Sequence, residues 1–246
     1  MHTLATPPGI AAFYSDVSDG NMSLTHGNIQ ESPVRRRRLC AAAGVDPGSL
    51  VCPQQVHGEH IVRVNASDRG KGVESVETAL SGTDALICDT PGVACAVQTA
   101  DCLAVFLHDP VSRSVAIVHA GWRSTRLQLA AKTVAAMQEQ FKAQPASIQA
   151  WFGPALGACC YEVGEEFADF FPEDVVRRQG RLHFDNLAAN RRQLLACGLS
   201  PANIAEPGPC TFCHPQQFFS HRRQGAQAGR MLSVIQIGDV SLGARF

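Results

Sequence analysis

Apolar residues along this chain follow two rhythms. Short, nearly unbroken runs, over 102–107 and 114–119 among them, are rich in branched and aromatic side chains and are parted by Asp109-Pro110. Runs of this length between turn signals predict strands buried on both faces. The same pattern predicts strands over 10–14, 60–65, 84–88, 93–97, 102–108, 114–119, 148–152 and 231–237. Elsewhere the apolar positions fall at steps of three and four. Leu127, Ala130, Val134, Met137 and Phe141 share one face of a helix over 125–142, with Ser124 or Thr125 available as its cap. Helices are also predicted over 33–43, 162–171 and 185–197, the last opened by Asp185 and closed by Gly198. Together these elements predict an α+β fold, mixed sheets flanked by helices. No repeat or linker divides the chain, so a single domain over 1–246 is expected.

Three short segments concentrate reactive residue types: Gln55-Val-His57-Gly58, Thr99-Ala-Asp101-Cys102 and His119-Ala-Gly-Trp-Arg123. Two neutral imidazoles and a thiolate are a tight ligand set for a borderline metal such as zinc, and leave a fourth position for water or substrate. The spacing is too long for a zinc finger, so each ligand comes from a different element and only the finished fold assembles the site. Single His and Cys residues are more often satisfied polar or small core residues than ligands. Three of them beside strand boundaries and glycines weaken that plain reading and leave a metal or catalytic site open beside it. His119 closes a strand and faces the start of the next helix, where free N–H groups and the helix dipole favour an anion.

Composition narrows the function class. With 45% hydrophobic and 17% charged residues the chain is an ordinary core-former, and a net charge of −1 gives no footprint for nucleic acid or an acidic membrane. The one basic run, Arg35 to Arg38, reads as the solvated face of a short helix stopped at Gly44. The first residues show no signal peptide, and no apolar run reaches the roughly 20 residues that span a bilayer. A cytoplasmic protein is expected. Its 10 cysteines then read as reduced thiols, with Cys40, Cys88, Cys95 and Cys197 in apolar stretches and Cys159-Cys160 packed in a loop. Cys210-Thr-Phe-Cys213-His214 has the form of a c-type haem attachment, but that chemistry requires export. A coincidental pair of thiols is the default, ahead of a redox or second metal site.

On these motifs the chain resembles the YfiH-like, laccase-domain family, also described as multicopper polyphenol oxidases and as purine nucleoside phosphorylases. Supporting matches are Asn21-x-x-Leu24-x-x-Gly27, Thr83-Asp84-Ala85, Gly153-Pro-Ala-Leu-Gly157 with Tyr161-Glu-Val-Gly164, Cys210-Thr211, Phe219-Ser-His-Arg-Arg223 and Gly229-Arg230. The resemblance implies a metalloenzyme with zinc, or copper, on His57, Cys102 and His119. It also implies phosphorolysis of adenosine, inosine, guanosine and methylthioadenosine, with adenosine deamination as a second activity. Asp16, Ser124 and His221 stand where the family usually has arginine, glycine and tyrosine.

For phosphorolysis, a site must hold phosphate on one side of the ribose and stabilise the departing base on the other. Arg123, Arg222 and Arg223 are the candidate anion contacts, since guanidinium forks match phosphate oxygens, although each also suits a surface ion pair. Phe106 and Trp122 offer aromatic surface for a purine or for the core. Gln55 either orients His57 or touches substrate. For deamination, zinc lowers the pKa of bound water from about 15.7 towards 7, and Asp101 or Asp84 is the candidate proton carrier. Other classes remain open at this point. Cys102 as nucleophile with His119 as base makes a metal-free hydrolase or deamidase, which the family fold's likeness to bacterial toxin deamidases supports. A copper phenol oxidase, an enzyme editing cell-wall precursors and a non-catalytic metal-binding protein complete the set.

Overall fold

The computed structural model describes residues 1–238, so residues 239–246 of the expected domain lie outside the described residues. In chain order the strands are β1 (His2–Thr3), β2 (Ile10–Tyr14), β3 (Leu50–Val51), β4 (Ile61–Arg63), β5 (Ala85–Cys88), β6 (Ala94–Thr99), β7 (Leu103–Asp109), β8 (Ser114–Ala120), β9 (Gln149–Phe152), β10 (Glu162–Val163), β11 (Val175–Arg178), β12 (Arg181–Phe184) and β13 (Met231–Ile237). The α-helices are α1 (Ser32–Ala42), α2 (Trp122–Arg126), α3 (Leu129–Phe141), α4 (Phe167–Phe170), α5 (Asn186–Ala196) and α6 (His221–Gln224).

Two five-stranded sheets, ordered β1-β2-β13-β6-β3 and β4-β5-β8-β7-β9, face one another. Each mixes parallel and antiparallel pairs: β3 runs parallel to β6 and β4 to β5, while β13–β6 and β7–β8 are antiparallel. Side chains alternate across a strand, and the cores follow that alternation. Ala104 and Phe106 of β7, Val115 and Ile117 of β8, and Cys95 and Val97 of β6 fill the space between the sheets. Leu103, Val105 and Leu107, with Ala116, Val118 and Ala120, face outward beneath α3 and α5. Ala94 and Ala96, with Leu232 and Val234, face outward beneath α1. Helices therefore cover both outer faces, and strands buried on two sides need no polar positions, which is why β7 and β8 read as unbroken apolar runs. The α+β class and each predicted strand are present, with shifts of a few residues at the ends.

Three local predictions change. The helix expected over 125–142 begins instead at Trp122, with Gly121 as N-cap, and is broken where Gln128 turns left-handed (φ 60°). Ser124 and Thr125 lie inside α2 and are buried; Thr125 is engaged by Asn186 and Asn190 of α5. The helix expected over 162–171 is the strand β10 followed by the single turn α4. Here Phe167, Phe171 and Phe184 form a small aromatic core against Trp122 and Tyr161, and β10 pairs with β12 in a three-stranded sheet. The β11–β12 hairpin is not predicted, since its arginines hide the alternation. Its turn, Gln179-Gly180 with both φ positive, is the one sequence cue. The basic run is also not wholly solvated. Arg36 is fully buried, and its guanidinium donates to the carbonyls of Met22, Gly72 and Val73 at 2.7, 2.6 and 3.1 Å.

Candidate active site

His119 lies near the end of β8, on the face shared with Val115 and Ile117, and therefore points between the sheets rather than beneath the helices. Cys102 stands just before β7, after Asp101, whose φ of 92° turns the chain sharply into the strand. His57 comes from the loop between β3 and β4 and is itself left-handed (φ 60°). Such a conformation is uncommon outside glycine and persists where surrounding contacts fix it. Those contacts converge on one residue, Asp84.

Asp84 precedes β5 and its side chain is fully buried. One carboxylate oxygen accepts from the His57 backbone N–H at 3.0 Å and meets His119 Nδ1 at 2.8 Å. The other accepts from the N–H groups of Gly58 (2.7 Å) and Val56 (3.2 Å). A single carboxylate thus holds the loop that carries His57 and fixes the His119 ring, leaving Nε2 of His119 for a ligand role. Gln55 adds a second tether, since its carboxamide exchanges hydrogen bonds with the backbone N–H and carbonyl of Gln98 on β6 (2.7 and 2.8 Å).

The donor atoms of His57, Cys102 and His119 all lie within 4.8 Å of one another, and Cys102 Sγ is 3.7 Å from His57 Nε2. Ligands bound to one zinc at about 2.0–2.3 Å in a tetrahedron stand about 3.3–3.8 Å apart, so the three side chains can hold one metal ion and leave a position open. The backbone is shaped to the cluster. A Cβ on Gly121 would fall 2.9 Å from His57 Cδ2 and 3.1 Å from Cys102 Sγ, which only a residue without a side chain avoids.

Burial pushes the Cys102 thiol up, but His119 and His57 beside it more than reverse that and hold it at about 6. Burial lowers His119, yet Cys102 and Asp84 together raise it to about 9. Between those values the metal-free protein carries a thiolate against an imidazolium. Alkylation of Cys102 by iodoacetamide in metal-free protein, followed on its own peptide by mass spectrometry, is therefore expected to titrate near 6 rather than at the usual thiol value of about 8.5. A midpoint at or above about 8 would refute the pairing.

The cluster lies in a cavity of about 670 Å³. Its wall carries Arg123, Arg222 and Arg230, the rings of Trp122 and Tyr161, and the polar groups of Ser23, Thr25, His26 and His221. Asp101 is the one carboxylate among its described lining residues. Three guanidiniums against one carboxylate make the cavity attractive to anions. Asp101 is itself engaged, accepting from Thr211 Oγ1 at 2.5 Å and from the Arg222 backbone N–H at 2.6 Å, and so ties the Cys102 turn to α6.

The expected substrate contacts divide. Arg123 lines the cavity with its guanidinium 4.4 Å from the Trp122 ring centre, and Arg222 lines it while donating to the Glu162 carbonyl. Arg223 is turned elsewhere: its guanidinium donates to the carbonyls of Thr211, Phe212 and Phe218 and lies off the cavity wall. Gln55 lines the cavity with its carboxamide already occupied by Gln98. Phe106 is fully buried between the sheets and offers no surface to a ligand. Asp16 lies outside the cavity lining, where it caps the turn Val17–Asp19 and meets His2 Nε2 at 2.9 Å. Sequence reasoning missed Arg230. The signal lay in the Asn21-x-x-Leu24-x-x-Gly27 and Gly229-Arg230 segments, because Asn21 accepts from the Arg230 N–H at 2.8 Å and donates to the His26 carbonyl at 2.6 Å, joining both walls.

Residues 13–238 match the family model described as multi-copper polyphenol oxidoreductase laccase. Purine nucleoside phosphorylase YlmD of Geobacillus stearothermophilus is 37% identical over 225 residues, covering 87% of this chain and 82% of that protein. Adenosine deaminase RL5, from an unknown prokaryotic organism, is 37% identical over 209 residues, covering 81% and 79%. The crystal structure of YlmD from Geobacillus stearothermophilus superposes with a TM-score of 0.90 at 33% identity and covers 97% of each chain. With the family's motifs gathered around one cavity, this chain belongs to the laccase-like family that includes the YlmD proteins.

Proposed function

We propose that this protein is a zinc-dependent purine nucleoside phosphorylase that splits adenosine, inosine, guanosine and methylthioadenosine, with adenosine deamination as a second activity. The observation that supports the reading is the gathering of His57, Cys102 and His119 in a nucleoside-sized cavity whose wall carries three arginines. The phosphorylase and deaminase names of the two relatives agree with it.

In this reaction an oxygen of phosphate bonds to C1′ of the ribose as the C1′–N9 bond breaks, giving ribose 1-phosphate and a purine that takes up a proton. Arg123, Arg222 and Arg230 supply the donors that hold phosphate and neutralise its charge. Trp122 and Tyr161 supply ring surface for the sugar or base. Burial keeps the Tyr161 phenol protonated well above neutral pH, so it serves as a hydrogen-bond donor to substrate. Bound to His57, Cys102 and His119, zinc would supply Lewis-acid polarisation of an oxygen at its open position. For deamination the proton carrier is Asp101, the carboxylate on the cavity wall.

The test is product analysis by mass spectrometry of adenosine incubated with zinc-loaded protein. Free adenine with ribose 1-phosphate is expected, only when phosphate is present and not after chelation. Absence of phosphorolysis with all four nucleosides would overturn the proposal. A second reading has its own observation: Asp84, His119 and Cys102 also stand in the order orienter, base and nucleophile of a cysteine hydrolase. That enzyme would be indifferent to chelators and would keep activity without His57, whose part would be confined to lowering the Cys102 thiol.

A further inference from the structure

Four of the cysteines do not behave as core residues. Cys159 and Cys160 end the loop after β9, and Cys210 and Cys213 lie some fifty residues later in the segment before α6. Backbone hydrogen bonds bring the two segments together: the Ala155 N–H donates to the Pro209 carbonyl at 3.3 Å and the Thr211 N–H to the Ala155 carbonyl at 2.9 Å. The four sulfurs then lie within 4.8 Å of one another, with Cys160–Cys213 at 3.4 Å and Cys159–Cys213 at 3.7 Å. Hydrophobic packing does not account for this gathering, since Cys159 and Cys213 are exposed and Cys160 and Cys210 are only half-buried.

Backbone donors gather on one of the four sulfurs. The Gly157 N–H donates to Cys210 Sγ at 3.3 Å, and the N–H groups of Phe212 and Cys213 face the same sulfur. Donors converging on a sulfur stabilise its charged form, and in a Cys-x-x-Cys turn they aim the pair at a common point. Sulfurs bound at about 2.3 Å to one tetrahedral ion stand about 3.8 Å apart, close to the separations seen. A Cβ on Gly157 would lie 3.4 Å from Cys159 Sγ and 3.3 Å from Cys210 Cβ, so the loop closes tightly over the group.

We propose that Cys159, Cys160, Cys210 and Cys213 form a second metal site, a tetrathiolate that takes zinc. Four protein ligands leave no open position, which makes the site structural rather than catalytic. Its place in the fold gives it a task. Cys160 directly precedes Tyr161, and Thr211, within the Cys-x-x-Cys turn, holds Asp101 beside Cys102. The ion would clasp the segment that carries Leu156 and Tyr161 of the cavity wall to the one whose Thr211 holds Asp101.

The measurement is zinc per chain by elemental analysis, on protein loaded with zinc under reductant and freed of excess metal. Wild-type protein is expected to hold about two equivalents, and the His57→Ala/Cys102→Ala variant and the Cys210→Ser/Cys213→Ser variant about one each. Because the second variant can misfold, the deciding sample is the His57→Ala/Cys102→Ala protein, whose four-cysteine group is intact. Loaded with cobalt, it is expected to show the intense sulfur-to-metal absorption and tetrahedral bands of a tetrathiolate. A wild-type content of one zinc that vanishes in this variant, with no cobalt–thiolate absorption, overturns the proposal. The readout does not depend on any nucleoside being a substrate.

Discussion

His57→Ala protein is expected to lose nucleoside phosphorolysis as completely as Cys102→Ala or His119→Ala protein, on the order of 10³-fold in kcat/KM. A metal that polarises a reacting oxygen is worth several kcal/mol, and each 1.4 kcal/mol is about tenfold. In the proposed site the three residues would share one ion, so removing any of them would remove the same contribution. His57 is the informative member of the set. Cys102 and His119 are required by a cysteine hydrolase as well, with His119 already oriented by Asp84 at 2.8 Å. Among the described residues His57 has no such partner; its ring contacts Cys102 at 3.7 Å and stands edge-on to His119. Steady-state kinetics and zinc content of the three variants, each checked for folding by circular dichroism, decide the matter. Comparable loss of activity and of the cavity's zinc in all three supports the metal. An active, chelator-resistant His57→Ala enzyme would refute the metal's part in the reaction.

The His57–Cys102–His119 cluster was readable in the sequence because its signal is local: an imidazole or thiol at the mouth of an apolar run beside a glycine is visible without knowing the fold. The strands were readable for a related reason. Burial on both faces leaves β7 and β8 with no polar interruption to misread. What could not be read was direction. Arg222 and Arg223 are neighbours in sequence, yet one guanidinium lines the cavity and the other is spent on three carbonyls, a difference set by the backbone of the short helix α6. Arg230 stands in the wall with its backbone held by Asn21, more than two hundred residues earlier. The helix predicted over 162–171 failed because aromatic residues at helical spacing served a tertiary cluster around Phe167 and Phe184. Cys210 and Cys213 were legible as a pair but not as half of a group of four, since pairs so distant in sequence meet only through the backbone bridge of Ala155 and Cys210.

Asp84→Asn is the substitution expected to damage both stability and metal affinity most. The change is nearly isosteric, so the loss cannot be assigned to a cavity. Asp84 is buried and accepts from three backbone N–H groups and the His119 ring. An asparagine can present one oxygen; its NH₂ then faces the N–H groups of Val56 and Gly58 or the His119 nitrogen, donor against donor. Leaving buried donors unsatisfied and removing the charge they solvate costs about 2–4 kcal/mol. The loop carrying His57 is released and His119 loses its fixed tautomer, which lowers zinc affinity by about 10–100-fold. Urea unfolding of metal-free protein and competition with a zinc chelator measure the two effects separately.

The pH dependence gives an independent check on the same carboxylate. Burial raises the Asp84 pKa, but the His119 side chain and the N–H groups of Gly58 and Val56 outweigh this and bring it below the ordinary carboxylate value. A group lowered on folding stabilises fully above its unfolded pKa of about 3.9, and that contribution is lost as pH falls through the folded value. Wild-type protein should therefore show a steeper loss of stability below about pH 4 than Asp84→Asn protein, whose amide does not titrate. Parallel acid profiles for the two proteins would mean that Asp84 gains nothing from its charge. The hold on His57 and His119 would then have to come from the packing of the loop itself.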